Sequence, residues 1–198
     1  MTAEDIIGMF VVSSLVGSLL ADLVFEVTWN KTYFTYGLTI FVMRIPGNQW
    51  HTNIPSQALL ETKFHSDVIS SLVFKEIGAY SYGFREKIFQ FKWIRTPNLM
   101  HGLLTFDTNN NQVIVTGFAN WFTLAFSLVW LGLPLSSLVI LILSREPPGS
   151  PLIPLGVIGF FIVLMGIMYL FQASRFSKVA SFAAESWTRR YVRVGDEA

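Results

Sequence analysis

Three histidines, His51, His65 and His101, and no cysteine make up the most reactive residue types of this chain. No two of the three stand at the i, i+4 spacing of a helical metal pair, and none is followed by the glutamate of a metalloprotease motif, so no metal site is expected. His65, Ser66 and Asp67 have the residue types of nucleophilic or acid–base chemistry. Adjacency along the chain is not the geometry of a triad, and a polar surface stretch is the simpler reading. The run GAYSYG (residues 78 to 83) has neither the lysine nor the spacing of a phosphate-binding loop. Without cysteine, the chain forms no thiolate nucleophile, Cys-ligated metal centre or disulfide. A non-enzymatic protein without cofactor is therefore expected, set against an enzyme that would use His65, His101 or Asp22.

Two other groups of residues have spacing that could bind something. Ser14, Ser18, Asp22 and Glu26 recur every four positions and form one polar stripe of a helix. Beside it Ser13, Gly17 and Ala21 make a ridge of small residues that allows close helix approach. One face of this helix is thus built to meet protein: the chain's own later helices, a second copy, or a different subunit. Asp22, near the helix end, is expected to reach interface water, with a functional intramembrane carboxylate as the other reading. The second group is basic. Arg85, Lys87 and Lys92, with Arg189, Arg190 and Arg193 near the C-terminus, are candidates for contact with anionic lipid headgroups, each worth about 1 kcal/mol near a membrane surface. For Arg85, Lys87 and Lys92, an ordinary solvated strand face is the preferred reading.

The elements that must position these residues include membrane spans. Residues 108 to 174 carry only two charges, Arg145 and Glu146, and the run PPGSP between two apolar stretches supplies a turn that helix does not cross easily. About 20 apolar residues in helix cross a bilayer core. Spans are accordingly expected at 6 to 25, 119 to 143 and 151 to 173, the last two as a helical hairpin, with a kink in the second from Gly132 and Pro134. The acidic start MTAED does not resemble a cleavable signal sequence, so the first span is expected to be an uncleaved anchor. Composition agrees: 52% hydrophobic residues, 14% charged and a mean hydropathy of +0.50 are apolar for a soluble domain, whose charged share is about 25%. Eight Lys and Arg lie in residues 28 to 118 and five after the third span, against Arg145 alone in the turn. The positive-inside tendency then predicts an outside N-terminus, with the middle region and the C-terminus cytoplasmic.

Between the first two spans, alternation in YGLTIFVMRI puts Leu38, Ile40 and Val42 on one strand face, and YGFREKIFQFKWIRT reads as a second and a third strand. PSQALLETKF reads as a short helix with Ser56 at its N-cap and Leu59, Leu60 and Phe64 on one face. Gly78 and Gly83 mark turns or bulges. GLLTFDTNNNQVIVTGFANWF (residues 102 to 122) is a hairpin that pairs Leu104 and Phe106 with Val113 and Val115, turns at DTNNN, ends its second strand at Gly117 and runs directly into a span. Trp121 falls where an interfacial tryptophan belongs. After the third span, Phe176, Val179, Ala183 and Trp187 share a helical face, which serves equally an interfacial helix with its basic side toward headgroups or a helix docked on the strands.

The fold class expected is an α+β membrane protein: an anchor at 1 to 29, a cytoplasmic β-rich domain at 30 to 118, a transmembrane hairpin at 119 to 173 and an amphipathic basic tail at 174 to 198. The net charge of +1 and pI near 8.0 argue against nucleic acid as a partner. The lipid bilayer and a membrane-protein partner, or self-association, are the partners expected of an assembly or accessory component. The alternative is a module that senses lipid headgroups or a small ligand; a small sheet with membrane flanks is similar to pleckstrin-homology domains by fold-level analogy only, with no matching fingerprint.

Overall fold

A computed structural model describes residues 3–46, 54–64, 72–86, 99–143 and 151–189. Among these, three helices are long and apolar enough to cross a membrane: α1 (Ala3–Thr28), α4 (Trp121–Leu143) and α5 (Leu152–Arg189). Their outward surfaces are lined with exposed apolar side chains, among them Phe10, Val16 and Leu20 on α1, Leu128 and Ile142 on α4, and Phe160 and Leu170 on α5. In water such surfaces would be costly, and against lipid they are not. α4 continues through Pro134, and the hydroxyls of Ser136 and Ser137 donate back to the Leu133 carbonyl.

Between α1 and α4 the chain forms α2 (Lys31–Thr35), β1 (Thr39–Pro46), α3 (Gln57–Phe64), β2 (Leu72–Gly78), β3 (Ser81–Glu86), β4 (Met100–Asp107) and β5 (Gln112–Ala119). The five strands make one antiparallel sheet in the order β1-β5-β4-β3-β2. The β4–β5 hairpin has the expected register, Leu104 opposite Val115 and Phe106 opposite Val113, all four buried. Asp107 organises its turn by accepting from the amides of Asn109 and Asn110 and from the side chains of Asn110 and Gln112. These donors, the Asn110 side chain first, hold the Asp107 carboxyl below its usual range. β5 does not end at Gly117; it pairs on to Ala119, and Asn120 alone separates strand from helix.

Two expectations change. In β1 a register shift between Thr39 and Phe41 adds a residue and reverses the parity of the strand. Phe41, Met43 and Ile45 therefore turn to the core beside Ile40, while Leu38 and Val42 are exposed. β2 lies in a stretch where no strand was expected; it pairs with β3 through a tight turn at Ala79 and Tyr80, the latter at φ 63°. Gly78 sits at that turn, whereas Gly83 lies inside β3. The α3 helix follows its expectation, with Leu60 and Phe64 buried. His51, His65, Lys87, Lys92, Arg145, Arg190 and Arg193, the third strand and the PPG turn lie outside the described residues.

A row of paired residues crosses the whole sheet: Phe74, Phe84, Gly102, Gly117 and Phe41. The two central glycines leave a trough, in which the Phe84 ring lies over Gly102 and Phe176 of α5 over Gly117. α5, about 57 Å long at 1.5 Å per residue, exceeds a hydrocarbon core of about 30 Å. It continues unbroken past residue 174. Its last turns bury Phe176, Val179, Ala180, Ala183 and Trp187 against the sheet, so the tail helix is docked on the strands. Arg175 seals this contact with a salt bridge to Glu86.

Candidate functional site

On the opposite face of the sheet, at the end nearest the three long helices, polar side chains gather that are buried together. Asp22, Glu26, Tyr33, His101 and Asn120 are each 6% exposed or less. Burial of this much hydrogen-bonding capacity is tolerated only when donors meet acceptors, and the pairing shows what each residue does.

Asp22 does not reach interface water. Its carboxylate accepts from the amides of Trp121 at 2.9 Å and Phe122 at 2.6 Å, the first two free donors of α4, and from the Tyr33 hydroxyl at 2.8 Å. Helix α4 begins on Asn120, a residue type whose side chain ordinarily caps the helix it precedes. Here a carboxylate from α1 accepts from the first two amides of the helix, and it places negative charge at the positive end of the α4 dipole. Asn120 also reaches across to other elements: its Nδ2 lies 3.4 Å from Glu26 Oε1 and its Oδ1 lies 2.9 Å from His101 Nδ1. The other imidazole nitrogen, Nε2, is 2.8 Å from the Tyr33 carbonyl.

The C-terminal end of α1 is capped reciprocally. Arg85 of β3 donates from Nε to the Glu26 carbonyl at 3.1 Å, and its guanidinium lies 4.7 Å from the Trp29 ring centre. A cation thus meets the negative end of the α1 dipole. Trp29 turns the chain out of α1 at φ 53°, a left-handed conformation that costs a bulky residue energy. Its stack on Phe34, with ring centres 5.1 Å apart, and the Arg85 contact hold it there. Phe34 in turn enters the sheet face over Gly83, and the Tyr33 ring stacks on His101 with centres 4.0 Å apart. On α5, Gln172 accepts from the Leu99 amide at 3.1 Å, which ties the third long helix to the same end of β4.

Electrostatics follow from this burial. Loss of water pushes the His101 imidazole below its ordinary range, opposed by its hydrogen bonds with Asn120 and the Tyr33 carbonyl and by the charge of Asp22. Burial, with Asp22 and Glu26 adding to it, pushes the Tyr33 phenol far above its usual range, so it stays a donor to Asp22. Burial lowers the Arg85 guanidinium and Glu26 opposes that change.

Of the polar stripe, Asp22 and Glu26 enter this cluster, while Ser14 and Ser18 are half-buried on the same side of α1, which packs against α4. Ser13 and Gly17 are exposed, Ala21 is half-buried, and among the described residues nothing lies within 4 Å of a Cβ built on Gly17. Among the basic candidates, Arg85 is half-buried in the joint and Arg189 is the last residue of α5. Sequence reading passed over Tyr33, Asn120 and Trp29. The available signals were Asn120 at a strand-to-helix junction and His101 on the β4 face opposite Leu104 and Phe106. Among the described residues no group of three or more His, Asp or Glu is placed to hold a metal ion. Compared with protein families, curated proteins and solved structures, the chain matches none.

Proposed function

We propose that this chain is a non-enzymatic integral membrane protein that holds its sheet as a rigid platform at the bilayer surface and serves as an assembly or accessory component, binding another membrane protein or a second copy of itself. The reciprocal capping of α1 and α4 carries this reading. A domain that merely needed tethering could hang from a linker, whereas here Asp22 holds the start of α4, Arg85 holds the end of α1, and Asn120 alone separates β5 from α4. The polar side chains that membrane-embedded chemistry could draw on, Asp22 and His101, are engaged in holding the joint. Use of the basic strand as a headgroup site would fall to Lys87 and Lys92, since Arg85 is engaged by Glu26 and Trp29.

Gly17→Leu provides the test. Gly17 is exposed and a Cβ built there meets nothing within 4 Å among the described residues, so a loss of assembly by a variant that keeps its fold reads an external contact. Native mass spectrometry after extraction in mild detergent is expected to show a defined larger assembly that Gly17→Leu weakens by tenfold or more in dissociation constant, about 1.4 kcal/mol. A monomer retaining one phospholipid class would transfer the assignment to lipid sensing. In the orientation proposed here, the sheet and the C-terminus are cytoplasmic and the N-terminus is outside. The chain has no cysteine, so Asn110→Cys at the β4–β5 turn introduces a single thiol. It is expected to resist an impermeant thiol reagent in intact cells and to react after lysis; labelling in intact cells would reverse the orientation.

A further inference from the structure

We propose that the outer edge of β1 is the docking site for an extended segment of a different membrane protein, which adds a sixth strand to the sheet and sets an acidic side chain beside Arg44. This rests on the assembly role proposed above and names its surface and partner. It starts from one hydrogen bond. The Phe74 amide of β2 donates to Glu61 Oε1 of α3 at 3.3 Å, so the Phe74 backbone faces away from β3. A strand residue sends its N–H and C=O to one side only, so bonded and unbonded pairs alternate across an antiparallel sheet. Along the row Phe74, Phe84, Gly102, Gly117 and Phe41, Phe84 therefore bonds Gly102, and Gly117 bonds Phe41. The Ala119 amide, two residues past Gly117, likewise turns to the β1 side and donates to the Leu38 carbonyl at 2.9 Å. Val42 and Arg44 then point their amides and carbonyls out of the sheet. Pro46 offers a carbonyl alone, which limits a further ladder at that end.

The two edges of the sheet differ. On β2, Glu61 accepts the outward Phe74 amide and is itself held by Gln57 at 3.0 Å, so α3 closes that edge. On β1, an eight-residue strand, no described residue bonds the outward groups of Val42 and Arg44, and Val42 is 49% exposed. A long edge left in this state is a template for another strand. Its side chains define the guest. Phe41, Met43 and Ile45 are only partly buried on the α5 side, so apolar residues at alternate positions of the added strand would extend that core. Arg44 is exposed on the other face and, among the described residues, is paired with no acid, which calls for a carboxylate opposite it.

Geometry argues against a second copy as the guest. α5 passes from Phe176, over Gly117, to Trp187, against Phe106, which pairs with Val113. That is about 16 Å of helix beside about 13 Å of strand, so the strands run along α5 and away from the bilayer. Two copies inserted alike are related by an axis along the membrane normal. Antiparallel pairing of β1 with itself needs a two-fold axis across the strands, which would insert the second copy upside down. A two-fold axis along the strands sets like residues opposite one another, without the one-residue stagger of a parallel ladder. Pairing of β1 with the β2 of a neighbour meets α3 and Glu61.

Val42→Pro tests the edge in the full chain, extracted in mild detergent from its own membrane. It removes an outward donor and no bond to β5. Native mass spectrometry of the unsubstituted chain is expected to show a complex with a different protein, which Val42→Pro weakens about tenfold and Arg44→Glu about fivefold in dissociation constant. In that complex the Val42 and Arg44 amides should exchange hydrogen about 100-fold more slowly than in the dissociated chain, while Met43, which pairs with Val115 and faces β5, stays protected in both. Protection of Val42 and Arg44 in the dissociated chain would overturn the proposal, because the edge would already be covered. A complex made only of copies of this chain, or one that leaves both amides fast, would overturn it too. A complex that Gly17→Leu weakens and Val42→Pro does not would remove the edge and leave the assembly role standing, whereas a monomer in every extract would remove both. If Val42→Pro does not fold, exchange in the unsubstituted complex decides.

Discussion

Asp22→Ala is expected to destabilise the folded chain by about 3 kcal/mol, measured by denaturant or thermal unfolding in detergent. Three donors lose their acceptor at once: the amides of Trp121 and Phe122 and the Tyr33 hydroxyl. Loss of a helix cap costs about 1 kcal/mol, and each buried donor left unpaired costs about 1–3 kcal/mol. The sum is not additive, because the three bonds share one carboxylate. Asp22→Asn keeps an oxygen for one or two of these donors but loses the charge at the end of the α4 dipole, so about half the effect is expected. Ser13→Ala, on the exposed side of the same helix, should lie within about 0.5 kcal/mol of the unsubstituted chain. A loss below about 1 kcal/mol for Asp22→Ala would mean that the three donors find other acceptors, and the joint would then be far less committed than its hydrogen bonds imply.

The contrast between what was legible in the sequence and what was not follows the range of the interactions. The three long helices, the register of Leu104 with Val115 and Phe106 with Val113, and the shared face of Phe176, Val179, Ala183 and Trp187 all come from local periodicity, and the fold contains them as read. The face of β1 was misassigned because one inserted residue at a bulge inverts an alternation that otherwise looks regular. The stripe Ser14, Ser18, Asp22 and Glu26 was visible as a stripe, but its partners were not. Asp22 caps an amide 99 positions away and Glu26 faces an amide 94 positions away. A carboxylate near the end of an apolar helix has the same local signature whether it points to water or to another helix, so only tertiary structure separates the two. Asn120 makes the same point: its local signature, an asparagine preceding a helix, gives no sign of its contacts with Glu26 and His101.

Gly102→Ala is expected to cost about 3 kcal/mol, a large effect for a single methyl group. A Cβ at this position would sit 2.1 Å from Cζ of Phe84 and within 2.5 Å of both neighbouring ring carbons. The ring cannot turn aside, because Phe84 is fully buried, with Phe74 at 5.3 Å and Phe176 at 4.8 Å between ring centres. Gly83→Ala provides the comparison. Its closest neighbour, also at 2.1 Å, is the terminal carbon of Ile77, a flexible side chain that can rotate away, and about 1 kcal/mol is expected there. Phe84→Leu alone should cost about 1–2 kcal/mol through the cavity it opens, yet combined with Gly102→Ala it removes the clash. A double-mutant cycle should therefore show the pair to be more stable than the sum of the single changes by at least about 1 kcal/mol. Additive losses would instead place the strain in the β4 backbone. The glycine trough also seats Phe176, so displacement of Phe84 pushes on α5 where it leaves the apolar region. Gly102→Ala should accordingly expose the α5 face carrying Val179 and Ala183 to proteolysis before the sheet itself unfolds, which links the packing of one strand residue to the rigidity that the proposed platform requires.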